Sequence, residues 1–165
     1  MAEASLRAAR PAARGGQSNL IFAVAAAERP PGELCGRVEE IAVLFPWGSL
    51  LRGILGLDGD AAAGLASLLA PGGRIVALVS VAERDARVAG VRPLAAGDRD
   101  ALTARWRGHG LELVEFRPAT TDEIVASGST WAKRLRTAGR VVDRPVWRLE
   151  VGCPNPLAGS GDERG

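Results

Sequence analysis

The sequence predicts an α/β fold built on a mainly parallel, doubly wound sheet. Three observations lead there. Short apolar runs of strand length recur along the chain, helix-patterned segments separate them, and Gly and Pro clusters mark the boundaries. A chain of 165 residues with 47% hydrophobic content is long enough for one ordinary core.

The elements follow in order. "NLIFAVAAAE" (19–28) reads as a strand between the Gly15–Gly16 turn and Pro30–Pro31, and "RVEEIAVLFP" (37–46) as a second. From Ser49 to Leu69 the pattern is helical, broken at "GLDGD" and stopped by Pro71-Gly72-Gly73. "RIVALVSV" (74–81) has the continuous apolarity of a buried strand. A helix near Asp98–Arg107 ends at Gly108 and Gly110, "LELVEFRPAT" alternates as a strand, Thr121–Ala126 opens a short helix, and "RPVWRLEV" is the last strand. Residues 1–151 are expected to form the domain, and the Pro, Gly and charge of 152–165 predict a disordered tail.

Composition excludes several classes. No apolar run approaches the ~20 residues that span a bilayer. Cys35 and Cys153 stand far apart, which argues against zinc, any other metal centre and a disulfide framework. The start, "MAEASLRAARPAARGG", has the Ala and Arg of a transit peptide but includes Glu3 and runs into patterned sequence, so it reads as a basic helix and linker. A net charge of +2 says little about partners, whereas its distribution says more. Lys133, Arg134, Arg136, Arg140, Arg144 and Arg148 face the single acid Asp143, and Arg7, Arg10 and Arg14 form a second basic stretch.

Open α/β sheets bind ligands beyond the carboxyl ends of their strands. There the sequence places Glu28 after the first strand and "FPWGS" after the second. Trp47 is either a core plug or a platform. "STWAKRL" sets Trp131 beside Lys133 and Arg134, a pairing that suits a stacked base and its phosphates. Trp106, in the helix before Gly108, and Trp147, alternating with Val146 and Leu149, are assigned to the core, and His109 has no evident role.

"RGGQSNLIFAVAAAERPPGEL", "LFPWGSLLRG" and "STWAKRL", in this order, resemble the aminoglycoside-resistance 16S rRNA adenine-1408 N1-methyltransferases over about Ser5 to Val151. The resemblance implies a class I S-adenosylmethionine-dependent methyltransferase (Rossmann-like) fold. It implies methyl transfer from S-adenosylmethionine to ring nitrogen 1 of the decoding-site adenine of 16S rRNA in the 30S subunit, in a cytoplasmic monomer that uses neither metal nor membrane. In such a site Trp47 and Trp131 would sandwich the flipped adenine, and the Pro46 carbonyl would accept from its amine. Ala27, Glu28, Leu44 and Ser49 match positions near the cofactor. Lys133, Arg134, Arg140, Arg7, Arg10 and Arg14 match positions on the rRNA, and Arg144 and Arg148 stay open.

One departure shapes the expectation. Family members begin with a strand, a Gly-rich loop and an acid-ended strand that hold the cofactor, and this sequence begins after them. "GLDGD" interrupts a helix and "GSGD" precedes none, so neither replaces that loop. In the class I order 3-2-1-4-5-7-6 the pair is central, which predicts a gap of ~10 Å between the first two strands at ~4.8 Å per strand. The sequence therefore also predicts an alternative, an rRNA-binding remnant that does not methylate, and the 165-residue chain alone is expected to be inactive.

Overall fold

The computed structural model describes residues 19–20, 23–81, 90–129 and 145–154. Its elements are β1 (Val38–Leu44), α1 (Gly48–Ile54), α2 (Gly59–Leu68), β2 (Leu69–Val79), α3 (Arg99–Arg107), β3 (Glu112–Pro118), α4 (Thr121–Ala126) and β4 (Trp147–Gly152). The sheet order is β1-β2-β4-β3. That is the 4-5-7-6 half of the class I order.

Two expectations need correction. In the described sheet only β1 and β2 pair in parallel, because β4 inserts antiparallel between β2 and β3. Apolar alternation in a strand does not reveal its direction, so the sequence pattern could not show this. The expected strand at 19–28 is not a strand in any of its described residues. An isolated bridge between Ala26 and Arg29 instead closes a tight turn, and Val24 is fully exposed. A parallel strand must hydrogen-bond to a neighbour, and no described strand lies alongside this segment.

The break at "GLDGD" separates α1 from α2 as expected. Gly56 (φ 63°) ends α1, and the Asp58 side chain caps α2 by accepting from the Ala61 amide at 3.1 Å. Pro71-Gly72-Gly73 lies inside β2 at an irregular register, where Val38 faces Leu69 but Glu40 faces Arg74. Gly73 is required there, since a Cβ would come within 2.8 Å of both the Val38 and Ala70 carbonyl oxygens.

One sheet face carries the core. Ile41 and Val43, Ile75, Ala77 and Val79, Trp147, Leu149 and Val151, and Leu113 and Phe116 pack with Leu51, Ile54, Leu65, Leu102 and Trp106 from the helices. Trp106 has no exposed surface, so its ring buries roughly 150–250 Å² and contributes on the order of 4–6 kcal/mol. Its Nε1 donates to the Ile54 carbonyl at 3.1 Å, and Arg105 Nη1 donates to the Leu55 carbonyl at 3.1 Å. These are among the last carbonyls of α1, which a helix leaves without internal partners. Trp147 is also in the core, stacked on Phe116 at 4.5 Å and 14°. Both assignments from sequence agree.

Trp106→Phe keeps most of the apolar ring but leaves the buried Ile54 carbonyl without that donor. The expected loss is ~1–3 kcal/mol of unfolding free energy, read from the shift of the urea midpoint at unchanged m. An unshifted midpoint would show that the bond to Ile54 contributes nothing.

Candidate active site at the carboxyl rim of the sheet

The register places the carboxyl ends of β1, β2 and β3 and the start of β4 on one rim. Leu44 lies beside Leu78, while Val79 and Pro118 both face Trp147. Residues 45–48, 80–81, 119–120 and 145–146 therefore border the same space.

The β1–α1 connection has an unusual backbone. Phe45 has φ 50°, the single positive value at a non-glycine among the described residues. A phenylalanine in that region is strained by ~1–3 kcal/mol, and such strain collects at functional sites. Its amide still donates to the Leu78 carbonyl at 2.8 Å, and Pro46 behind it is buried. Trp47 is extended (φ −138°, ψ 160°), Gly48 turns at φ 60°, and α1 begins. The indole of Trp47 is left 68% exposed, so it is not a core plug.

Beside this turn the chain brings two of the sequence-derived cofactor residues together. The Glu28 carboxylate lies within reach of the Ser49 side chain, in the first turn of α1. Ser49 holds the Glu28 carboxyl below the usual glutamate range, and its own backbone amide lowers it further. Partial burial and nearby Asp58 oppose the shift, and Arg29 adds a small lowering. Ala27 packs on the core beside them, and Leu44 is 42% exposed at the end of β1. Ser80 Oγ and Trp147 Nε1, also on the rim, are buried without a hydrogen-bond partner among the described residues. Sequence reading missed Phe45 and Ser80, since neither a positive φ at a bulky residue nor an unpartnered hydroxyl leaves a mark in the pattern. Trp131, Lys133, Arg134, Arg140, Arg7, Arg10 and Arg14 lie outside the described residues.

Next to the start of β4, α4 is held by charge. Thr120 accepts from the Glu123 amide at 3.2 Å while Glu123 accepts from the Thr120 amide at 2.8 Å, a reciprocal cap. The same carboxylate receives Arg117 through two bonds of 2.7 and 2.9 Å and lies 3.2 Å from Arg148 Nε. Arg148 also pairs with Glu115 and Glu150.

A model of the family described as "NpmA: 16S rRNA (adenine(1408)-N(1))-methyltransferase" matches residues 1–147. The chain belongs to this family. It is 35% identical to an rRNA methyltransferase of Saccharopolyspora hirsuta, over 78% of this chain and 85% of that protein. It is 34% identical to the 16S rRNA (adenine(1408)-N(1))-methyltransferase of Streptoalloteichus hindustanus, over 84% of this chain but 65% of that enzyme. Among solved structures, the 16S rRNA methyltransferase KamB superposes with a TM-score of 0.78 at 32% identity, covering 93% of this chain and 71% of that one. A variant of the Catenulisporales acidiphilia enzyme, solved with its cosubstrate S-adenosylmethionine, also gives 0.78, at 27% identity over 95% and 71%. The fold is thus that of the S-adenosylmethionine-dependent class I methyltransferases. No helix among the described residues is long and apolar enough to cross a membrane.

The clamp on α4 has a pH signature. Arg117, followed by the Thr120 amide, lowers the Glu123 carboxyl to about 2. A folded-state value below the unfolded one adds stability that is fully present above the unfolded value near 4.5 and is lost as pH falls through about 2. Thermal melts of the parent and Glu123→Gln should therefore differ by a constant amount above pH 4.5 and converge toward pH 2. A difference independent of pH would contradict the clamp.

Proposed function

We propose that this chain serves the reaction named for its family, methyl transfer from S-adenosylmethionine to ring nitrogen 1 of the decoding-site adenine of 16S rRNA, which makes the 30S subunit resistant to aminoglycosides. One observation carries the reading most directly. A strained strand-to-helix turn holds a large aromatic ring out in solvent, 68% exposed, beside a carboxylate–hydroxyl pair. An isolated fold does not need that arrangement, but a base taken out of its stack does.

The donor set suits the cosubstrate. Glu28, kept ionised by Ser49, can accept from ribose hydroxyls or from the adenine amine. The resemblance adds two apolar positions, Ala27, packed against the core, and Leu44, 42% exposed at the end of β1. Bound there, S-adenosylmethionine supplies a methyl on a cationic sulfur, which an in-plane lone pair on a neutral ring nitrogen can take directly. No general base is required of the protein. Its residues position the target: Trp47 supplies a stacking face, Trp131 the second face, and the Pro46 carbonyl an acceptor for the exocyclic amine. Indole faces also favour the cationic product ring. Orientation and electrostatics then provide the catalysis. Lys133, Arg134 and Arg140, with Arg7, Arg10 and Arg14, bind rRNA phosphates. Support for the second face comes from topology, since residues 130–144 lead into β4, which begins on the rim that bears Trp47.

A second reading is an rRNA-binding chain that does not methylate. It is favoured by the turn at Ala26–Arg29, which leaves β1 with one paired edge among the described residues. One assay separates the two. The 165-residue protein is incubated with 30S subunits and S-adenosylmethionine, and the target adenine is read as a primer-extension stop. Under the first reading the parent gives the stop and Trp47→Ala lowers it by orders of magnitude with folding intact, since stacking is worth ~1–3 kcal/mol per base and misplacement adds to the loss. Retained 30S binding without a stop in the parent would establish the second. An equal stop from Trp47→Ala would remove the ring from the mechanism.

Both readings share the basic segment. Removing charge at Lys133, Arg134 or Arg140 should weaken 30S binding and flatten its salt dependence by about one unit of slope for each phosphate that the variant no longer neutralises. Filter binding across a salt series measures this, and equal slopes for variant and parent would place the charge in solvent.

A further inference from the structure

The buried side of α2 consists of Ala61, Ala62, Gly64 and Leu65. Glycine disfavours a helix interior relative to alanine, so a glycine there calls for a packing reason. The reason is close approach. A Cβ on Gly64 would overlap the Ala27 carbonyl oxygen outright, lie 3.0 Å from the Ala27 carbonyl carbon and lie 3.3 Å from Pro30 Cδ. The Ala26–Arg29 turn therefore rests on the bare backbone of α2. Within the turn the Arg29 amide donates to the Ala26 carbonyl at 3.1 Å, and the turn carries the Glu28 carboxylate to Ser49 of α1.

We propose that Gly64 is a positioning residue for Glu28, the seat that sets how closely the Ala26–Arg29 turn approaches α1. The inference rests on the reading above, in which Glu28 and Ser49 face the cofactor. A methyl group at position 64 drives the turn outward by about an ångström or more before carbon and oxygen reach ordinary separation. A hydroxyl's hold on a carboxylate weakens over such a distance, so Ser49 no longer lowers the Glu28 carboxyl. The prediction opposes helix propensity, by which alanine at this position would strengthen α2.

The test uses the 165-residue protein, the variants Gly64→Ala and Ser49→Ala, and Ala63→Gly as an exposed control on the same helix. Carbon-detected NMR follows the Glu28 carboxyl through its titration. In the parent and in Ala63→Gly it should titrate below the usual glutamate range, and in Ser49→Ala and Gly64→Ala within that range. A Gly64→Ala protein whose Glu28 titrates with the parent overturns the proposal. If Gly64→Ala does not fold, the parent still decides: a nuclear Overhauser effect between the Gly64 α-protons and the Pro30 δ-protons supports the seat, and its absence overturns it. Calorimetry with S-adenosylmethionine then tests the reading beneath. Binding at least about tenfold weaker in both Gly64→Ala and Ser49→Ala, as expected for a charge-assisted hydrogen bond, supports it. Equal binding by all proteins overturns Glu28 as a cofactor ligand, while the NMR result still stands for Gly64.

Discussion

Two side chains of α3 complete the hydrogen bonding of α1, and the placement of the site depends on them. The last carbonyls of any helix lack internal partners, and a buried end without donors is costly. Here Trp106 and Arg105, adjacent on α3, donate to Ile54 and Leu55. The same packing explains Gly56, where a Cβ would come within 2.7 Å of the Arg105 Cβ. The end of α1 is thus fixed on α3, and α3 packs on the sheet. A seven-residue helix has little stability of its own, so without this anchor its first turn, which presents Trp47 and Ser49, would not hold one orientation.

Anchoring at one end permits strain at the other. Phe45 occupies the left-handed region because four constraints act on the turn at once: its amide is bound to β2, Pro46 is buried behind it, Gly48 reverses the chain, and α1 is held from its far end. Relaxing Phe45 would require moving one of them. Such over-determination is how a fold holds an unfavourable backbone, and its product is an aromatic ring facing solvent where hydrophobic burial alone would have drawn it inward. Glu28 is placed by a different route, through the seating of Ala27 on Gly64, which carries it to Ser49. The exposed indole and the carboxylate therefore belong to separate pieces of backbone that meet at the first turn of α1.

What sequence reading can recover follows from where the information lies. Most strand and helix positions from Val38 onward, the break at "GLDGD" and the two core tryptophans are local or periodic features that their patterns reveal, whereas Leu69–Gly73, read as a helix end and its stop, belongs to β2. The direction of β4 is not such a feature, because alternation is identical in parallel and antiparallel strands. The segment 19–28 has a strand's composition, but a strand exists only with a partner, and pairing is not a property of the segment. Family resemblance points to Glu28 and Ser49 separately, whereas their proximity to one another needs the fold. Gly64 leaves a signal in "AAAGLASLL", a lone glycine in a helix of good formers, although nothing in that pattern identifies Ala27 as the group it admits.

Charge has to be separated by partner before it can be assigned to RNA. By composition, Arg148 closes the basic stretch that begins at Lys133. In the fold it lies in β4, largely covered, between Glu115, Glu123 and Glu150. A guanidinium taken that far from water needs those carboxylates, and a phosphate could engage it only by displacing them and leaving their charges unpaired. Arg117 is likewise held by Glu115 and Glu123. These two arginines fasten α4 to the sheet. If the basic stretch binds rRNA, its phosphate interactions therefore come from residues 130–144, which lead into β4 on the rim that bears Trp47. Structural cations and recognition cations then divide along the chain at the start of that strand.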